Sequence, residues 1–144
     1  MLIFVPLDKA GFELFKNWFS EQETHCRIAL PDENWFEYAT HTPNVFSWTV
    51  WQDEHCIAEL QLDIDAERIG YIDIVVNPDF RNSGFGKRVI REFLAMPKHP
   101  NLRRIEAHIE TDNPASLNLF KSVGFKRVKK AEREDGFWVF SYEY

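Results

Sequence analysis

The stretch from Tyr71 to Phe125 constrains this chain more than any other. Tyr71–Val76 is almost wholly apolar, so it reads as a strand buried in the middle of a sheet. Asn77-Pro78 ends it. A short loop, Arg81-Asn82-Ser83-Gly84-Phe85-Gly86-Lys87, then leads straight into a helix over Gly84–Met96. That helix carries Phe85, Val89, Ile90, Phe93 and Leu94 on one stripe, and Pro97 stops it. Ser83 is its N-cap candidate. A strand that hands over to a helix this abruptly leaves several N–H groups pointing off the helix start. The two glycines let backbone approach a ligand closely. Such an end binds phosphate, and Arg81 and Lys87 add positive charge at its rim. The spacing is not that of a P-loop, and Val89 stands where a dinucleotide fingerprint needs its third glycine. On its own, the loop also reads as a glycine-permitted tight turn before an ordinary helix.

The remaining elements follow from periodicity. Leu2–Leu7 reads as a first strand. Lys9–Phe19 reads as a helix, with Phe12, Leu14, Phe15, Trp18 and Phe19 at helical spacing. Residues 20–31 show no clear period. Pro31-Asp32 opens a second helix containing Trp35, Phe36 and Tyr38. Val45–Trp51 and Cys56–Ile64 form a hairpin around Asp53-Glu54. In the second strand Ala58, Leu60, Leu62 and Ile64 face one way, and Glu59, Gln61 and Asp63 the other. Arg68-Ile69-Gly70 reads as a turn. Arg103–Glu110 alternates with Ile105, Ala107 and Ile109 inward. Asp112-Asn113-Pro114 starts a helix that Gly124 ends. Two closing strands are expected near Phe125–Lys129 and Phe137–Glu143, joined by a turn containing Asp135-Gly136. The order predicts an α/β fold: a mixed sheet of about seven strands with helices on both faces, residues 1–144 forming one domain.

Downstream of the glycine loop comes Asn113-Pro114-Ala115-Ser116-Leu117-Asn118-Leu119-Phe120-Lys121-Ser122-Val123-Gly124-Phe125. The pair of segments resembles the GNAT acetyltransferase superfamily. Its [RQ]-x-x-G-x-[GA] loop is matched by Arg81, Gly84 and Gly86. Its downstream Asn, small residues, aromatic and helix-ending Gly-Phe are matched by Asn113, Ala115-Ser116, Phe120 and Gly124-Phe125. The likeness is close over residues 71–128 and extends to the whole chain in element order. The Ala-Ser pair is similar to the branch containing ribosomal-protein and aminoglycoside N-acetyltransferases.

The resemblance implies a mostly antiparallel sheet whose central pair, Tyr71–Val76 and Ile105–Glu110, splays apart. It implies acetyl-coenzyme A as donor, with its pantetheine arm in that gap against backbone groups of Ile74 and Val76. The pyrophosphate would sit on the N–H groups of residues 82–87 (Asn82, Ser83, Gly84, Phe85, Gly86, Lys87), where a side chain at Gly86 is expected to clash with it. Asn113 would hydrogen-bond the cofactor arm. The N–H of Val75 or Val76 would stabilise the oxyanion. The family's usual Tyr, which reprotonates the sulfur, falls at Phe120. The general acid is therefore missing from its usual place, or is dispensable because a thiolate of pKa ~8.5 leaves tolerably well. Three residues are candidates for the base: Asp73 first, then His108 and Glu59. Each also reads as a solvated or ion-paired strand residue. The acceptor is an amine: a peptide N-terminus, a polyamine, an aminoglycoside or a small metabolite. A homodimer is compatible with the family.

Charge and composition exclude other classes. The net charge is −6, which argues against a nucleic-acid partner. Residues 1–76 hold 4 Lys/Arg against 14 Asp/Glu, and residues 77–144 hold 13 against 9. An acidic half and a basic half suit a cationic acceptor and a polyphosphate donor. Glu33 and Glu37 flank Trp35 and would suit such an acceptor. Trp18, Trp35, Trp48 and Trp51 otherwise read as core. Cys26 and Cys56 make no disulfide framework. The five histidines lack metal-ligand spacing, so no metal is expected. No apolar run approaches the ~20 residues that span a bilayer, and the N-terminus reads as a strand, so a cytoplasmic protein is expected. The reading from another class is a non-catalytic acyl-coenzyme A sensor or interaction domain on the same fold, which Phe120 favours.

Overall fold

The computed structural model describes residues 1–20, 31–97, 102–128 and 136–143. Strand β1 is Ile3–Pro6, and helix α1 is Lys9–Asn17, which tightens into a 3₁₀ turn over Trp18–Ser20. Helix α2 is Glu33–His41. Strands β2 (Val45–Gln52), β3 (His55–Ile64) and β4 (Ile69–Val76) follow. A 3₁₀ turn at Pro78–Phe80 precedes helix α3, Phe85–Ala95. Then come β5 (Arg104–Glu110), α4 (Pro114–Ser122), β6 (Lys126–Arg127) and β7 (Phe137–Glu143). The histidine and cysteine expectations at His25, Cys26 and His99, and Asp135 of the expected last turn, lie outside the described residues.

The helices start where side chains can satisfy their first N–H groups. Asp8 Oδ1 accepts from Gly11 N at 2.8 Å, and Asp32 Oδ1 from Trp35 N at 2.9 Å. Asn113 Oδ1 accepts from Ser116 N at 3.3 Å. At α3 the structure differs from the sequence expectation. Ser83 does not cap the helix; its hydroxyl donates instead to Arg81 O at 3.3 Å. Gly84 takes the cap position with φ +81°, and Asn82 is also left-handed at φ +60°. Two left-handed residues flanking Ser83 turn this backbone into a concave loop.

The seven strands lie in the order β1-β2-β3-β4-β5-β7-β6. Every neighbouring pair is antiparallel except β4 and β5. Those two pair only at Ile69↔Arg104, Gly70↔Ile105 and Tyr71↔Glu106. Beyond Tyr71 each stays paired with its other neighbour, β4 with β3 as far as Val76↔Ala58, and β5 with β7 as far as Glu110↔Phe137. The sheet is therefore split down its middle into a V. Ile69 and Gly70 belong to β4 rather than to a turn, because they are hydrogen-bonded into the ladders at the vertex. A Cβ on Gly70 would lie 2.9 Å from both Leu62 and Leu102 side chains, so glycine lets the vertex close.

One face of the sheet packs on α3 and α4 through Val89, Ile90, Phe93 and Phe120 against Leu60, Leu62, Ile72, Ile105 and Ile109. The other carries α1 and α2. Phe15, Trp18 and Phe19 pack there on Cys56 and Val75, with Trp35 and Trp51 against them. Trp48 packs on Phe93 from the hairpin. Trp18 is buried, and Trp35, Trp48 and Trp51 are half-buried against these clusters. A bulge where Val50 pairs with Ala58 and Trp51 with Cys56 swings Cys56 under α1. Burial pushes its thiol up to about 11, so it is inert at neutral pH.

Candidate active site

Strand β4 ends where α3 begins, and the two build a cleft of about 360 Å³. Its floor is Ile74, Val75 and Val76. Its wall is the loop: Phe80, Arg81, Asn82, Gly84, Phe85, Gly86 and Lys87. Asn113, Ala115, Ser116 and Leu119 of the α4 segment close the far side. The loop is pinned at its start by Asn77, whose Oδ1 accepts from Asp79 N and whose Nδ2 donates to Cys56 O, each at 3.0 Å. Phe80 then wedges between His55 and Phe85, with ring centroids 5.6 Å away on each side.

Two features of this cleft suit an anion facing an open strand edge. The N–H groups of residues 82–87 make no well-formed hydrogen bond among the described residues; the first helical bond is Arg88 N to Gly84 O. They converge with Lys87 and with Arg81, whose Nε donates to Val76 O at 3.3 Å. The β4 backbone supplies the second feature. Asn77 N bonds Ile57 O on the β3 side and Ile69 O accepts there too. Alternation then turns the backbone groups of Val75 toward β3 and those of Ile74 and Val76 into the gap. Of the two sequence candidates for an exposed N–H, geometry selects Val76. Ser83 lies outside the cleft lining.

The gap between β4 and β5 forms a second cavity of about 160 Å³. Ile72, Asp73, Ile74, Ala107, His108, Ile109, Glu110, Asn113, Ser116, Phe120 and Phe137 line it. Asp73 and His108 are thus brought together across the V. His108 Nε2 lies 3.1 Å from Glu106 Oε1, and its ring meets Tyr71 edge-on at 5.5 Å. Asp73 reaches solvent, yet protein crowds round it. Desolvation, then the charge of Asp63, raises its carboxyl above the ordinary range, while His108 pulls it down. Asp63 is itself held by the hydroxyl of Tyr38 and by Gln61 Nε2 at 2.9 Å.

Glu59, the third candidate, is not in the gap. It is opposite Val75 on β3, 2% exposed. Its Oε2 has no hydrogen-bond partner among the described residues. Burial, and then Asp73's charge, push its carboxyl well above the usual range, which favours its protonated form. Glu33 and Glu37 are also spent elsewhere. Glu33 pairs with Lys9 at 2.6 Å, and Glu37 with His41 at 3.3 Å. Phe120 lines the gap rather than the cleft, buried against Phe125.

Sequence reasoning missed Ser116 as a site residue. It sits where cleft and gap meet, and its only signal was the small-residue pair Ala115-Ser116 after Asn113. Among the described residues, no group of three or more His, Cys, Asp or Glu side chains could hold a metal ion. No described helix is long and apolar enough to cross a membrane.

Comparison with known proteins agrees with this architecture. Residues 11–125 match the Acetyltransferase (GNAT) family, and the chain belongs to it. The uncharacterized N-acetyltransferase YfmK of Bacillus subtilis strain 168 is 26% identical over 137 residues, 93% of this chain and 91% of that protein. Among solved structures, aminoglycoside acetyltransferase AAC(6')-Ib with coenzyme A and kanamycin superposes with a TM-score of 0.84 at 12% identity, covering 99% of this chain and 95% of that one. A dodecameric spermidine N-acetyltransferase from Vibrio cholerae gives 0.74 at 17% identity, covering 99% and 93%. At such identities the two structures establish a shared fold.

Proposed function

We propose that this chain, acting as one domain, moves an acetyl group from acetyl-coenzyme A directly to a cationic primary amine. The observation that carries the reading is that two cavities adjoin, with Ile74, Asn113 and Ser116 lining both. One runs along an open strand edge beside the glycine loop, and the other holds a carboxylate and an imidazole. Residues 82–87, Arg81 and Lys87 would hold the pyrophosphate. Ile74 and Val76 would pair with the pantetheine arm, and Asn113 would turn its unspent amide toward it. The Val76 N–H would stabilise charge on the acetyl oxygen, a strong effect when water is excluded. Asp73 would take the proton of the incoming ammonium, because it faces the gap and holds a proton more readily than an ordinary aspartate. His108, held by Glu106, is the second candidate.

Charge supports a cationic acceptor. Asp63 and Asp73 lie on the face of β3 and β4 that α1 and α2 cover. One structure of the same fold is complexed with kanamycin, and another is a spermidine N-acetyltransferase. Phe120 keeps one other reading in view, a non-catalytic acyl-coenzyme A sensor, because no hydroxyl stands at that place. Two measurements decide. Calorimetric titration should show acetyl-coenzyme A binding that Arg81→Gln and Lys87→Gln weaken. Release of free thiol should then depend on an added amine. Binding with no amine-dependent release would favour the sensor, and no binding at millimolar donor would refute both.

A further inference from the structure

We propose that Ser116 supplies the proton that the departing sulfur takes up, replacing a hydroxyl at position 120. The proposal assumes the acetyl transfer described above. In that transfer the amine nitrogen forms a bond to the acetyl carbon, the C–S bond breaks, and its electron pair stays on sulfur. One proton leaves the nitrogen for Asp73. One must arrive on sulfur, here from Ser116 Oγ, which regains it from water.

Three residues line both cavities: Ile74, Asn113 and Ser116. The reacting thioester must lie at that junction, since the donor reaches it from the cleft and the amine from the gap. Ile74 offers no side-chain proton. Asn113 Oδ1 is committed to the Ser116 N–H. Ser116 is the one hydroxyl among the described residues lining either cavity, and its Oγ makes no hydrogen bond with them. It is half-buried, so water can return its proton.

Helix geometry explains how it can stand in for position 120. Residues four apart share a helix face, their Cβ atoms about 5–6 Å apart. Ser116 therefore presents its hydroxyl one turn nearer the N-terminus of α4 than Phe120, on the same side. Phe120 is 3% exposed and packs edge-on against Phe125 at 5.0 Å, so its ring serves the core. Three other described hydroxyls are spent, and Thr111 lines neither cavity. Tyr71 donates to Asp65 at 2.8 Å, Tyr38 to Asp63, and Ser122 to Leu119 O at 2.7 Å.

The test uses Ser116→Ala, a mild change because alanine suits the first turn of a helix. The first readout needs no acceptor. Thiolate absorbance of bound coenzyme A, followed against pH, gives its thiol pKa, which the variant should raise with binding affinity unchanged. The second is the single-turnover acetyl transfer rate, which should fall by about 10²-fold, the low end for a lost general acid. Ser116→Thr should keep most of the rate, and Phe120→Tyr added to Ser116→Ala should recover part of it. An unchanged thiol pKa and an unchanged rate overturn the proposal while leaving acetyl transfer standing. A thiol pKa that depends on Ser116 without turnover of any amine supports the contact to sulfur and overturns the transferase reading instead.

Discussion

Asp73 and Glu59 are diagonal neighbours on adjacent strands, yet their surroundings divide their roles. Asp73 opens onto the gap, and its carboxyl titrates above the ordinary 3.8 because of burial and Asp63. As a base it works only when ionised, so kcat/KM should rise with pH through that elevated value. Asp63→Asn removes a neighbouring negative charge, and the rising limb should move to lower pH. Asp73→Asn should lower acetyl transfer by ~10²-fold or more with donor affinity unchanged. Near-full activity in Asp73→Asn alongside loss in His108→Gln would move the base to β5. Glu59 is sealed under α1, and its effect is on stability. Its folded affinity for a proton exceeds that of the unfolded chain, whose ordinary value is 4.5. Its stabilising contribution is thus complete below that value and is lost as pH rises toward the folded one. Glu59→Gln carries no such titration. The Tm of the variant minus that of the wild type should therefore grow as pH rises from 4 to 8, and a flat difference would mean that Glu59 is ionised in the fold.

At the level of elements, the two loop glycines do different work. A Cβ on Gly86 would lie 3.3 Å from Leu119 and 3.4 Å from Val76, so glycine there lets α3 press against β4 and α4. Gly86→Val should therefore cost about 1–3 kcal/mol of stability by overpacking, besides crowding any pyrophosphate on the loop. Gly84 meets nothing within 4 Å but holds φ +81°. Gly84→Ala should cost about 1–2 kcal/mol through left-handed strain alone. Urea unfolding of both variants checks these values. The helices and hairpin were legible in the chain because periodicity and caps such as Asp32 and Asn113 are local. The place of Ile69-Gly70 was not, since a turn-like tripeptide became strand through pairing with β3 and β5. The V was legible only through family resemblance, because it reflects ladder bonds missing beyond Tyr71. Ser116 was legible only as half of a small-residue pair, because its place between two cavities is set by tertiary structure. Its importance comes from two cavities meeting.

Across the whole molecule, the split sheet gives the charge asymmetry a geometry. The acidic first half ends with β4, and the basic second half supplies Arg81, Lys87 and α4, so the cleft lies along the boundary. A polyanionic donor held there should stabilise the fold by about 2.7 kcal/mol at a hundred times its Kd. A thermal-shift titration reads that directly, and added salt should weaken it. The central claim is transfer to an amine, and thiol release from acetyl-coenzyme A across a panel of amines tests it most directly. Saturable release with primary diamines or polyamines, lost with their permethylated counterparts, is the expected result. Tight donor binding with release no faster than hydrolysis for every amine would contradict it.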